Sequence, residues 1–219
     1  MLLYYITDRK AFPGTDTQQR EALLRRVADC ARAGVDFIQL REKDLPTRSL
    51  EHLARKVVRA VRDNSTTTSL LINGRSDVAV ACEADGVHLP AGELAASEVR
   101  TLWMRCCNRQ PLIGVSSHSG ADVHGAQAQS ANFAVLAPIF EKVQAGMSGI
   151  GLEPLRAACA GAQSPGGIEA AGRFAVLALG GVTLENAHSC VAAGAAGVAG
   201  IRLFQQGNVF ETVQRLRQP

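Results

Sequence analysis

Short apolar runs recur along the chain, and most are followed by a segment with helical spacing. The runs are "LLYYIT" (2–7), "VDFIQL" (35–40), "SLLIN" (69–73), "GVHL" (86–89), "LIGVS" (112–116), "NFAVLA" (132–137), "FAVLAL" (174–179) and "GVAGI" (197–201). Behind the first, residues 16–33 put Leu23, Leu24 and Val27 on one face. Behind the second, residues 47–62 keep Leu50, Leu53, Ala54, Val57 and Val61 in register with a helix. Near-continuous apolar strands alternating with helices predict a parallel sheet covered on both faces. Eight such units predict a closed (β/α)8 TIM barrel, with an open doubly wound sheet as the alternative. No linker interrupts the series, so residues 1–219 read as one domain. The stretches "AGVDFIQL", "ADGVHLP" and "GAAGVAGI" each pass a glycine before a strand, where it would cap the preceding helix in a left-handed conformation.

Composition narrows the class. The chain is 47% hydrophobic, 20% charged and 5% aromatic, with a net charge of +3. Its basic residues are scattered rather than clustered, which argues against a nucleic-acid partner. No run of about 18 apolar residues is present, so no membrane span is predicted. The start "MLLYYITDRK" lacks the features of a signal peptide, and the expected location is the cytoplasm. Cys30, Cys82, Cys106, Cys107, Cys159 and Cys190 form no C-x-x-C pair. They read as small buried hydrophobes in a reducing compartment, not as a zinc site.

In a barrel, residues just after each strand share one rim, whatever their separation in sequence. After strand two, Gln39, Arg41 and Lys43 alternate and so face one side, where two cations and an amide suit an anion such as phosphate. After strand three, Asn73 either meets a ligand or caps the helix beginning near Arg75. His88 lies inside strand four, where a packing role competes with a ligand role, and Glu93 is the nearest carboxylate beyond it. After strand five, "GVSSHS" carries Ser116, Ser117 and His118, with Ser119 a plausible helix N-cap. Histidine acts as a base near neutral pH with little tuning. A serine hydrolase is disfavoured, because the motif is no G-x-S-x-G elbow. Gly180 and Gly181, before a helix expected near Thr183, and Gly200, Ile201 and Arg202 follow strands seven and eight. Loops there commonly cradle phosphate with backbone N–H groups. Residues 138–150, with Glu141 and Lys142, form a candidate lid, and residues 161–172 a loop on the opposite face.

These residues resemble the thiamine phosphate synthase and thiazole tautomerase (TenI-like) superfamily, over nearly the whole chain. The matching stretches run in order from "YYITDR", "IQLREKD", "LLINGRSDVA" and "ADGVHLP" to "IGVSSHS", "APIFEK", "GLEPL", "LALGGVTLEN" and "GAAGVAGI". The resemblance implies a (β/α)8 barrel, an assembly of several copies, and a phosphorylated thiazole as the ligand. The synthase branch joins a pyrimidine pyrophosphate to thiazole phosphate with magnesium, and its pyrophosphate site is matched by Gln39, Arg41 and Lys43. Its carboxylate beside Asn73 is replaced by Gly74, and its second metal aspartate by Glu93. Its threonine-rich T-x-T-K loop is missing, with Lys142 only roughly in place, and a serine after strand eight becomes Arg202. Losing a hard oxygen ligand weakens a magnesium site.

The tautomerase branch fits these departures better. It shares "NGR" (73–75), "LPAG" (89–92) and the serine-x-histidine-serine motif, whose histidine is its acid–base catalyst and matches His118. The resemblance therefore implies a metal-independent tautomerase that aromatises a carboxythiazole phosphate by proton transfer. His118 would shuttle the proton, Ser116 and Ser117 would orient ligand or imidazole, and the glycines would hold phosphate. The alternatives are the magnesium-dependent synthase and a non-catalytic binder of a thiamine intermediate.

Overall fold

The computed structural model describes residues 1–141, 148–162 and 174–218. Lys142 and most of the 161–172 loop lie outside them. Eight parallel strands close into a barrel in sequence order, β1 to β8. They are β1 (Leu2–Ile6), β2 (Phe37–Leu40), β3 (Ser69–Asn73), β4 (Gly86–Leu89), β5 (Leu112–Ser117), β6 (Phe133–Leu136), β7 (Ala175–Ala178) and β8 (Gly197–Gly200). All eight predicted runs contain a strand, and β1 pairs with β8 through Tyr4 and Ala199 to close the ring. The open-sheet alternative is excluded.

The helices are α1 (Asp16–Arg32), α2 (Thr47–Arg62), α3 (Ser76–Ala81), α4 (Ala96–Cys106), α5 (Gly120–Ala128), α6 (Leu152–Gly161), α7 (Ala187–Ala192), α8 (Arg202–Gln205) and α9 (Val209–Arg217). Sequence stops and starts account for several of them. Thr15 and Gln18 form a reciprocal capping box at the start of α1, and Ser119 and Asp122 form another at α5. Along α2, Leu50, Leu53, Ala54, Val57, Val58 and Val61 all bury toward the sheet.

The glycine pattern needs correction. Gly34 (φ +86°) and Gly194 (φ +100°) do adopt the left-handed conformation after α1 and α7. In "EADGVHLP" that place is taken by Glu83 (φ 58°), and Gly86 is the first residue of β4. A Cβ on Gly86 would meet the Leu112 carbonyl at 1.8 Å, so its role is close strand approach.

Side chains of the strands alternate between two cores. Leu3, Ile38, Leu70, Ile113 and Val176 face the helices. Tyr4, Phe37, Leu71, Phe133 and Leu177 fill the barrel itself. Within it, Phe37 and Phe133 stack at 5.3 Å, and Tyr4 meets both edge-on. At the strand beginnings a small repeat recurs. Asp36, Asp85 and Asn132, each just before an even-numbered strand, accept the N–H of Leu3, Leu70 and Ile113 at 2.7–2.8 Å. The cysteines divide: Cys30, Cys82, Cys159 and Cys190 are buried as expected, whereas Cys106 is exposed and Cys107 half-buried at the end of α4.

Candidate active site

The C-terminal end of the barrel gathers the candidate residues, which fall into three sectors. In the first, Arg41 and Lys43 follow β2, the former half-buried and the latter exposed. Neither makes a side-chain hydrogen bond or salt bridge among the described residues. The intervening carboxylates face the other way. Glu42 and Asp44 both grip Arg9, at 3.0 and 2.7 Å, and Asp16 adds a third contact at 3.0 Å. Arg9 is 3% exposed, and this latch joins the loop after β1 to the loop after β2. Burial raises the Glu42 carboxyl above its usual range, against the bonds it accepts from Thr7 and Arg9. The Arg9 guanidinium instead holds Asp44 well below its usual value. The alternation that aims Arg41 and Lys43 outward thus depends on Glu42 and Asp44 aiming inward. Sequence reasoning missed Arg9, whose signal was an arginine two residues beyond an apolar strand facing an acidic partner loop.

Gln39 is not at the rim. It is 1% exposed, inside the barrel, and its amide nitrogen donates to the Tyr4 hydroxyl oxygen at 3.1 Å. The geometry removes it from any direct cation–amide cluster with Arg41 and Lys43.

In the second sector, Tyr4 lies 3.1 Å from Nδ1 of His88, and Nε2 of His88 lies 2.9 Å from Ser116 Oγ. His88 is 3% exposed, with both ring nitrogens occupied. Burial, with a smaller push from the Arg41 cation, holds its imidazole down to about 3, so it stays neutral. Burial likewise raises the Tyr4 phenol well above its ordinary value. A side chain at Gly114 would meet Phe133 Cζ at 2.4 Å and His88 Nδ1 at 2.8 Å, so the histidine needs a glycine beside it. Asn73, in register with His88, is half-buried and caps nothing: α3 begins at Ser76 with no side-chain cap.

Ser116 lies within β5, where it meets His88, and His118 stands just past the end of the strand. Ser117 is fully buried on the opposite face of β5 from Ser116, and its hydroxyl has no partner among the described residues. Strand alternation, overlooked in a run of three hydroxyls, removes it from the site. His118 is exposed, and its Nδ1 lies 3.0 Å from the carbonyl oxygen of Ala137. A carbonyl only accepts, so Nδ1 carries the proton and Nε2 presents a lone pair. The His118 N–H also donates to Asp122, as does that of Ser119. These two bonds, with the Ser119 hydroxyl, keep the Asp122 carboxyl low and anchor the turn that carries the imidazole.

The third sector is a cavity of about 610 Å3 between the loops after β7 and β8. Gly180, Gly181, Gly200, Ile201 and Arg202 all line it, together with Glu141 and Thr183. Gly180 (φ +99°) and Gly181 (φ +65°) pass beneath Pro138 and Phe140, where an added Cβ would come within 2.7 Å. Their N–H groups have no backbone acceptor among the described residues. The helix expected near Thr183 begins at Ala187 instead. Asn186 spans the loop, accepting from the Thr183 N–H at 2.8 Å and donating to the Gly181 carbonyl at 3.0 Å. His118, Ser116, Arg41, Lys43 and Asn73 stand at the same end of the barrel but do not line this cavity.

Among the described residues no three acidic, histidine or cysteine side chains converge on one point. Gly74 (φ +64°) faces Glu93, whose Oε2 would lie 3.4 Å from a Cβ there, so Glu93 is the carboxylate that could hold a substrate-bound magnesium at this point.

A family model described as thiamine monophosphate synthase matches residues 3–204. The thiamine-phosphate synthase of Moorella thermoacetica is 32% identical over 219 residues, covering 99% of this chain and 94% of its own. That of Methanoculleus marisnigri is 38% identical over 222 residues, covering 98% and 93%. Among solved structures, the thiamine phosphate pyrophosphorylase of Pyrococcus furiosus superposes with a TM-score of 0.76 at 25% identity, over 99% of this chain and 93% of that one. Among the described residues no helix is long and apolar enough to cross a membrane.

Proposed function

The chain belongs to the thiamine monophosphate synthase family, and from that premise we propose that it is a thiazole tautomerase, with residues 1–219 acting as one catalytic domain. It is an enzyme of thiamine biosynthesis. The observation that carries the finer reading is the tautomer of His118. With Nδ1–H committed to the Ala137 carbonyl, Nε2 is a base at the rim. Converting a non-aromatic carboxythiazole phosphate into its aromatic isomer removes one proton from the saturated ring carbon and returns one elsewhere on the conjugated frame. No atom is lost, and one histidine serves both steps. Nε2 takes the proton, the Ala137 carbonyl stabilises the resulting imidazolium through Nδ1–H, and Nε2 gives the proton back. The N–H groups of Gly180, Gly181, Gly200 and Ile201 hold the phosphate, Arg41, Lys43 and Arg202 add positive charge, and Asn73 lines the pocket. Glu141 at the same cavity disfavours a ligand with more anionic groups on that side.

The relatives' names favour a second reading, thiamine phosphate synthesis, for which the resemblance implies magnesium. Gly74 is what favours the tautomerase over it: the resemblance gives the synthase a carboxylate beside Asn73, and this chain has a glycine there. One experiment separates the two. The protein is given carboxythiazole phosphate in the presence of EDTA and, separately, both synthase substrates with magnesium. Metal-independent aromatisation is expected. Thiamine phosphate formation without aromatisation overturns the proposal.

A further inference from the structure

The polar side chains inside the barrel form a line, not a cluster. Gln39 donates to the Tyr4 oxygen, Tyr4 faces Nδ1 of His88, and Nε2 of His88 faces Ser116. Tyr4, Gln39 and His88 are each at most 3% exposed, among the stacked rings of Phe37 and Phe133. Apolar residues of similar size would fill this space without the cost of burying polar groups, so the chain calls for an explanation other than packing. We propose that His88 is a positioning residue whose Nε2–H fixes the Ser116 hydroxyl, so that the serine proton points into the pocket as a donor to the ligand.

The polarity follows from the donors present. The Tyr4 oxygen already accepts from Gln39, and among the described residues its buried proton meets one acceptor, Nδ1 of His88. The neutral imidazole then carries its proton on Nε2 and donates to Ser116 Oγ. Ser116 makes no other side-chain hydrogen bond among the described residues, which leaves its own proton for the pocket. Gly114 keeps the space that this arrangement needs. Ser116 precedes His118 by two positions, so a donor and a base stand together at the C-terminal end of β5. Resting on the tautomerase reading, Ser116 serves an acceptor atom of the thiazole ring or its carboxylate, where negative charge gathers as His118 removes the proton.

The test joins a spectroscopic and a kinetic measurement. In the intact protein labelled with 15N-histidine, the His88 ring is expected to show the Nε2–H tautomer from pH 5 to 9. In Tyr4→Phe it should become a mixture of tautomers. With carboxythiazole phosphate, His88→Leu and Ser116→Ala should each lower kcat about tenfold with little change in KM, the worth of one hydrogen bond formed in the transition state. The double variant should be no slower than either single one. His88→Gln, whose amide nitrogen restores a donor to Ser116, should recover most of the rate. An Nδ1–H tautomer at His88, or losses that multiply in the double variant, would overturn the relay. If the unmodified protein does not turn over carboxythiazole phosphate, the functional reading falls. The tautomer of His88 and its response to Tyr4→Phe then decide the relay alone, also where His88→Leu fails to fold.

Discussion

On the β4–β6 side of the rim, the groups that face the pocket are side chains, and each is held by a specific bond. His88 meets Ser116 at 2.9 Å, and His118 meets the Ala137 carbonyl at 3.0 Å. On the β7–β8 side the groups are backbone N–H donors, bared by Gly180 and Gly181 in conformations that other residues rarely adopt. The first arrangement sets protonation states, which proton chemistry requires. The second supplies fixed dipoles without any titration, which suits an anion that must be held but not altered. The division of labour predicts that substitutions on the two sides fail differently, one in kcat and the other in binding.

The largest effect is expected at His118. His118→Gln removes the titrating nitrogen, leaves the glycine cavity untouched, and should lower kcat on carboxythiazole phosphate roughly 100- to 1,000-fold. Binding of inorganic phosphate, followed by calorimetry, should stay within about twofold, since His118 does not line the glycine cavity. A comparable loss of phosphate binding would erase the distinction between the two sides.

Next in size is Gly181→Ala. A Cβ at φ +65° is strained, and this one would lie 2.7 Å from Phe140 Cβ and 2.9 Å from the Glu141 carbonyl. The loop must shift, at a cost of about 1–2 kcal/mol of stability. Phosphate affinity should fall about tenfold as the N–H groups move. The test is a thermal melt alongside a phosphate titration. If affinity is unchanged while stability falls, the cradle lies elsewhere in the cavity.

These two sides also differ in how openly the sequence announces them. That Gly180, Gly181 and Gly200 line one cavity was legible, because a parallel barrel brings the ends of strands seven and eight to one rim. His118 was legible through its motif and through helix capping by Ser119. Hydrogen bonds joining residue 4 to 88, and 88 to 116, cross three strands, and no local pattern carries them. Strand alternation could have separated Ser116 from Ser117, and Gln39 from the exposed rim, had it been applied to side chains that were not apolar. The Arg9 latch was hidden for another reason. "REKD" reads as one charged run, whereas Glu42 and Asp44 turn to Arg9 and leave Arg41 and Lys43 outside that latch. The short α7 was misplaced because the Asn186 side chain, rather than a helix turn, satisfies the Thr183 N–H.

The smallest expected effect tests whether the side-chain half is neutral and fixed. His88 titrates at about 3 in the fold and near 6.5 in an unfolded chain. Between those values the unfolded state binds a proton that the folded state refuses, so its contribution to stability is complete above about pH 6.5 and declines on acidification. The slope should approach about 1.4 kcal/mol per pH unit between roughly pH 5 and 4, and fade as pH falls through the folded value. Other groups act in the same region with different signs. Glu42, raised by burial, gains stability for the fold as pH falls through its elevated value. Asp44 and Asp122, held low by Arg9 and by the His118 N–H respectively, lose it only below their ordinary carboxylate range. Comparing the protein with His88→Gln cancels these shared contributions. Urea unfolding at pH 7, 6 and 5 should show the variant losing less stability on acidification than the parent, even if it starts less stable. Parallel slopes would mean that His88 takes up its proton inside the barrel, and the fixed neutral side would have to be abandoned.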